Sequence, residues 1–419
     1  MYLSSHRQPD SRFIFIDVEI GMKEIRLRLV TAAALLAGIA LPGTLLSQSA
    51  DVAANSPSGP PPSTGGIFPL SEVHRGMTAT AWTVFTGTKP EAMQVEILGV
   101  LKGARGPGRD MILAQLHGAK PEYTGVVAGM SGSPVYIGDK LLGSLSYRIG
   151  QFSKDPIAGI TPIAQMLEVR DIPVGDQPLL AELPHKKDTG PMGEEPAFLP
   201  METPLVMSGF HPEAVKLWQQ KMEGTGLETV AAGGGGSSKT GKPSAAAAAS
   251  IVPGSAVSAL LVGGDLEIAA TCTVTYIDPK QLLACGHPLL QAGPVSLPMT
   301  STEVVATLAS PLNAFKIVNT GEPIGAFTED RDAAIRGVLG ATAHTIPVHI
   351  AVHSGQKMRN LNIQVLDLPA LTSQAMLVSL YETLLETNES AADTSYHVTG
   401  SIDLEGYAAA PVDVWAGGA

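Results

Sequence analysis

Between Ile67 and about Val174 short apolar runs alternate with turn residues, a period-two pattern that predicts strands rather than helices. TATAWTVF (78–85), MQVEILGVL (93–101), DMILAQL (110–116), GVVAG (125–129), SPVYI (133–137) and KLLGSLSYRI (140–149) read as six strands, with Gly138-Asp139 a tight hairpin turn between the last two. The pattern resumes at Ala256 and runs through TCTVTYI (271–277), QLLACG (281–286), IPVHIAV (346–352) and LNIQVLD (361–367). A last strand, at 395–406, precedes an end that reads as unstructured. Helical spacing occurs twice. Pro212 opens one helix with Val215, Trp218 and Met222 on one face, and Thr372 caps another carrying Met376, Leu377, Leu380, Leu384 and Leu385. Residues 53–66 and 231–250, rich in Gly, Ser, Pro and Ala, read as linkers, and 175–204 as a loop.

The first fifty residues have a different character. Lys23, Arg26 and Arg28 precede an uncharged stretch, Leu29 to Leu46, broken by Pro42-Gly43 and followed by Ser47, Ser49 and Ala50. This is the layout of a secretory signal, with an uncleaved membrane anchor as the alternative. Residues 1–21 lack that character, which points to Met22 as the working start. The expectation is an exported protein, secreted or periplasmic, that meets a membrane only through an uncleaved leader.

Composition narrows the chemistry. With 27 basic and 39 acidic residues the chain carries a net charge of −12 and has no basic tract, so nucleic acid is not an expected partner. Two cysteines cannot build a disulfide framework or a thiolate zinc site. His349 and His353, with His344 before them, lie on one strand without convergent ligands, and neither a metal nor a cofactor is expected. Glycine (45) and proline (32) are frequent and charge is sparse at 16 %, which suits a turn-rich, mainly β protein with few helices.

Two short motifs carry candidate chemistry. Gly129-Met-Ser131-Gly132-Ser-Pro134 lies between two predicted strands and has the form G-x-S-G-x-P of a serine-protease nucleophile turn. The glycines permit a tight turn that aims the amides of Gly129 and Ser131 into one pocket, as an oxyanion hole requires, while Ser131 supplies the hydroxyl. The plainer reading is a Gly/Ser β-turn. The second motif is a strand, an Asp278-Pro279 turn and an apolar strand that delivers Gly286-His287 at its open end, as a general base is presented to a cleft. Its plainer reading is a histidine packed in a turn. If that hairpin centres on Asp278-Pro279, Cys272 and Cys285 face each other across it. They are then either a disulfide bracing the base-bearing turn or two small buried residues.

GVVAGMSGSPVYIGDKLLGSLSY (125–147) and VTYIDPKQLLACGHPLL (274–290) resemble the serine and histidine regions of SpoIVB-type serine peptidases, sporulation signalling proteases of bacteria. The resemblance implies Ser131 as nucleophile, His287 as general base, a trypsin-like fold and action on protein or peptide substrates outside the cytoplasmic membrane. In that family the histidine segment comes first. Here His287 follows Ser131, which implies two trypsin-like barrel halves in a non-standard chain order. The family's acid precedes its serine, where this chain has Leu116 and His117. Asp330 and Asp332 are the alternatives on the histidine side. The expected organisation is a leader (1–50), a linker (51–66), a nucleophile half (67–174), a loop, helix and linker region (175–255), a histidine half (256–355) and an α+β extension (356–419). The corresponding activity is that of a serine endopeptidase. The competing reading keeps the fold as a catalytically inactive binding or regulatory module of the cell envelope.

Overall fold

The computed structural model describes residues 14–21, 59–149, 155–173, 198–201, 203–223, 229–232, 241–310, 314–354, 357–387, 395–403 and 406–417. The strand nearest the start, β1 (Ile14–Gly21), belongs to the last sheet. The next six are β2 (Thr78–Thr83), β3 (Glu91–Leu101), β4 (Met111–His117), β5 (Ser133–Ile137), β6 (Lys140–Ile149) and β7 (Ile157–Pro162). They pair antiparallel in the ring order β5-β2-β3-β4-β7-β6, and β6 returns to β5, which closes the barrel. Alternate residues supply its interior: Ala79 and Ala81; Met93, Val95 and Ile97; Ile112, Ala114 and Leu116; Ala158 and Ile160. Two helices flank it, α1 (Ala119–Thr124) and α2 (Ile163–Arg170), the second burying Ile163, Met166 and Val169.

The stretch between the motifs holds β8 (Phe198–Pro200), β9 (Leu205–Ser208), α3 (Pro212–Met222), β10 (Thr229–Ala232) and α4 (Ala245–Ala249). A second ring follows, from β11 (Ala256–Gly264), β12 (Glu267–Ile277), β13 (Gln281–Ala284), β14 (Gly293–Leu308), β15 (Phe315–Arg331) and β16 (Ala334–Leu339). Its order is β12-β13-β16-β15-β14-β11, antiparallel throughout, with β11 pairing back to β12. The protein is thus mainly β and holds two six-stranded closed rings, one bearing Ser131 and the other leading into His287.

The far end of β11 pairs antiparallel with β18 (Lys357–Leu366), which pairs with β17 (Thr345–Ser354). β17 runs parallel to β1, and β1 pairs with β19 (Ser395–Ile402), itself paired with β20 (Ala410–Gly417). Helix α5 (Pro369–Thr387) packs on β17, β18 and α3. His211, at the start of α3, bonds Glu382 of α5 through its ring and its amide.

Several sequence expectations change here. Residues 125–129 form no strand: Ala128 makes one isolated bridge to Phe315. The second ring closes at Leu339, so IPVHIAV belongs to the extension rather than to the histidine half. The long β14–β15 hairpin has no clear signature in the sequence because prolines and small polar residues interrupt its apolar alternation. Helix α5 begins at Pro369 rather than at a Thr372 cap, and the Thr372 hydroxyl instead donates back to the carbonyls of Leu366 and Leu368. The end expected to be unstructured carries β20. Residues 14–21, assigned to the leader, form a strand paired on both sides, which the alternation in IFIDVEIG explains. The apolar stretch 29–46 lies outside the described residues, and among these no helix is long and apolar enough to cross a membrane.

Candidate active site

Ser131 sits in a turn that the sequence makes tight and its neighbours make rigid. Gly129 and Gly132 both take left-handed φ values, 92° and 96°. The Met130 amide donates to Val127 O, the Ser133 amide and hydroxyl to Met130 O, and the Gly132 amide to Leu145 O on β6. The amides of Gly129 and Ser131 have no protein partner among the described residues. These are the two donors the motif singles out. A pair of free amides at one turn is a receptor for a developing oxyanion.

The three carbonyls of this turn are held from the other ring. Thr273 on β12 donates its amide to Ser131 O (2.8 Å) and its hydroxyl to Gly129 O (2.9 Å), and Thr275 donates its hydroxyl to Gly132 O (2.7 Å). A side chain on Gly132 would overlap Thr273 O and the amide of Cys285, so the two rings meet backbone to backbone at this point. The converse also holds. Gly286, next to His287, lies against the hydroxyls of Ser144 and Ser146 on β6, leaving no room for a side chain, and its carbonyl accepts from Thr161 on β7 (2.7 Å). Each motif is therefore clamped by strands of the opposite ring. The signal for this was the alternation of Thr271, Thr273 and Thr275 in TCTVTYI and of Ser144 and Ser146 in GSLSY. These are polar residues on faces that burial turns inward, and alternation alone does not tell them from solvent-facing ones.

Cys272 and Cys285 form a disulfide, with Cα atoms 5.2 Å apart. The hairpin register differs from the expected one. Val274 faces Ala284, Ile277 faces Leu282, and a bulge between Val274 and Tyr276 absorbs the difference. Cys285 lies just past β13 in a left-handed conformation (φ 67°), bonding Thr273 O through its amide. The disulfide thus fixes the residue two before His287.

His287 is 2 % exposed. Its Nδ1 lies 2.8 Å from Pro288 O, and a carbonyl oxygen can only accept, so Nδ1 carries the proton and Nε2 presents its lone pair. Burial, with the Arg105 charge adding to it, lowers the imidazole to about 4, while the Pro288 bond opposes the shift. His287 Nε2 and Ser131 Oγ are both buried without a hydrogen-bond partner, so the two are not bonded to each other. They are also closed to solvent. β8 and the residues after it run past this turn. β8 pairs with Tyr147–Ile149 on the same edge of β6 as β5, beyond the end of β5, the Met201 amide donates to Ser146 O, and Pro204 packs on Gly129.

Neither acid on the histidine side orients the imidazole. Asp330 on β15 is buried and accepts the amides of Leu289 (2.8 Å), Leu290 (2.6 Å) and Ala292 (3.4 Å), while burial pushes its carboxyl up to about 6. Asp332 pairs with Arg105, whose guanidinium stacks on the Tyr147 ring. Asp330 therefore holds the loop behind His287, and the carbonyl of Pro288 occupies the position at Nδ1 that an acid would take. The physical reason is proximity in sequence: the Pro288 carbonyl is already at Nδ1, and the loop amides use both Asp330 oxygens.

A cavity of about 500 Å³ lies on the far side of Asp330, lined by Gln165, Gln291 and Asp332 among others, and reaches neither Ser131 nor His287. Among the described residues no cluster of three His, Cys, Asp or Glu could hold a metal; His349 bonds Asn362 instead. Compared with protein-family models, with curated proteins and with solved structures, the chain has no match in any of the three.

Proposed function

We propose that this chain is an exported serine endopeptidase of the SpoIVB-like kind, with a trypsin-like pair of barrels in reversed motif order. Ser131 Oγ attacks the carbonyl carbon of a peptide bond while His287 Nε2 takes its proton. The amides of Gly129 and Ser131 receive the oxyanion, and the imidazolium returns the proton to the leaving amine. Water then hydrolyses the acyl-serine by the same path. The observation that carries the reading is the mutual clamp: threonines of one ring hold the serine turn, and serines and a threonine of the other hold the histidine turn.

The Pro288 carbonyl keeps His287 in the tautomer a general base needs and accepts from the imidazolium that forms. Lacking a carboxylate's charge, it stabilises that cation less. Loss of the acid of a triad slows catalysis about 10⁴-fold, so a slow enzyme is expected. Peptide or protein is the substrate, and the apolar stretch 29–46 would carry the chain to the envelope. The test is covalent labelling with a fluorophosphonate: the wild type labels at one site and Ser131→Ala does not.

The second reading, a non-catalytic binding module of the envelope, is favoured by one observation: Ser131 and His287 are sealed and unbonded. Failure of the wild type to label at any concentration of probe supports it.

A further inference from the structure

Lys316 is the unusual charge of this site. It lies on β15 with no exposed surface, and its Nζ has a neutral hydrogen-bond partner, Thr83 Oγ1 at 2.8 Å. A buried ammonium without a carboxylate is costly to keep and marks a position where the charge has a use. Its surroundings are those of the serine turn. The Lys316 amide donates to Ala128 O and the Ala128 amide to Ala314 O, so the strand pins the residue before Gly129. The lysine stem runs under Gly129, its Cδ 3.2 Å from where a Cβ would stand. Nζ is two bonds further on, which keeps it within about 7 Å of the Gly129 backbone. Continuing the β2–β5 register, Thr83 falls opposite Ser133, two residues past the nucleophile.

We propose that the Lys316 ammonium is a positioning charge for the oxyanion hole, supplying positive potential to the anion that forms at the Gly129 and Ser131 amides. The inference rests on the acyl-transfer reading above and deepens it. In a buried site the anion and the ammonium attract through a medium far less screening than water. Among the described residues Thr83 reaches Lys316 from β2, Thr307 from β14, Gly129 from the turn and Pro204 from the segment after β8; the titratable pair nearest by register is Glu91, opposite Thr83 on β3, with Lys120 bonded to it. Burial is the cause of the lowered Lys316 pKa, about 7, so the charge is present below that pH and lost above it.

The experiment measures the second-order rate of fluorophosphonate labelling at Ser131 between pH 5 and 9, with Ser131→Ala as the blank. The wild-type rate should fall as pH rises through about 7. Lys316→Met fills the same buried space without charge. It should label roughly 10- to 50-fold more slowly at pH 6, with no fall above pH 7 and an undiminished Tm. Lys316→Arg, where it folds, should keep its rate at pH 9. Lys316→Met labelling at the wild-type rate and with the wild-type profile would overturn the proposal and leave the serine reading intact. A wild type that does not label overturns both.

Discussion

Asp330 accepts the amide of Leu290 at 2.6 Å and makes no bond to the imidazole three residues earlier. The acid thus shapes the loop that carries Pro288, and Pro288 O sets the His287 tautomer. The carboxyl and the imidazole are both buried and both shifted, in opposite directions.

Those shifts have opposite consequences for stability. His287, lowered by burial from 6.5 to about 4, contributes stability that is present above pH 6.5 and lost as pH falls through 4. Asp330, raised by burial from 3.8 to about 6, contributes stability that is present below pH 3.8 and lost as pH rises through 6. Between pH 4 and 6 the two nearly cancel. Removing one exposes the other: the Tm of Asp330→Asn minus that of the wild type should become more positive across this window, and that of His287→Gln more negative. Parallel curves for all three proteins would exclude the assignment.

Gly132→Ala should destabilise by at least about 3 kcal/mol, because its Cβ meets backbone of β12 and Cys285 that cannot move aside. Gly138→Ala is the control. It has a left-handed φ of 62° but open space around it, so it should lose only about 1 kcal/mol. Chemical denaturation of the pair separates overlap from backbone preference, and equal losses would show that the two rings do not touch at Gly132.

Reduction of Cys272–Cys285, or the double substitution to Ala, opens a short loop and should cost about 3 kcal/mol. Because the bridge fixes Cys285 beside Gly132, fluorophosphonate labelling of Ser131 should fall further than the stability loss alone explains. Unchanged labelling in a reduced, folded protein would mean that the bridge has no part in placing His287.

β8 occupies the side of β6 where an extended peptide would add a strand. Leu199→Pro removes an amide from that pairing and should speed labelling of Ser131 by roughly tenfold or more if displacement of this segment opens the site. An unchanged rate would locate the closure elsewhere.

Much of this was legible in the chain. The ring strands at 78–83, 133–137 and 140–149 followed from alternation and turn residues, and GMSGSP and GH marked the two turns that the fold brings together. What stayed hidden was pairing at long range. Thr273 and Thr275 look like ordinary strand residues until the serine turn lies beside them. Lys316 looks like a surface lysine until β2 buries it. Asp330 was visible as an acid, but its partners are backbone amides, which every sequence offers everywhere. β1 is a different case: IFIDVEIG alternates plainly, but it stands ahead of a leader-like stretch and its partners, β17 and β19, lie near the other end of the chain.

The chain order of the two rings also imposes a schedule. A ribosome finishes the serine ring at Pro162, while the threonines that hold the Ser131 turn and the histidine that would activate it are still unmade. Until β12 and β13 fold against it, the Ser131 turn has no His287 turn beside it and its carbonyls have no donors from the second ring. On the acyl-transfer reading proposed above, the growing polypeptide therefore carries an unassisted serine turn until β12 and β13 have been made and have docked on the first ring.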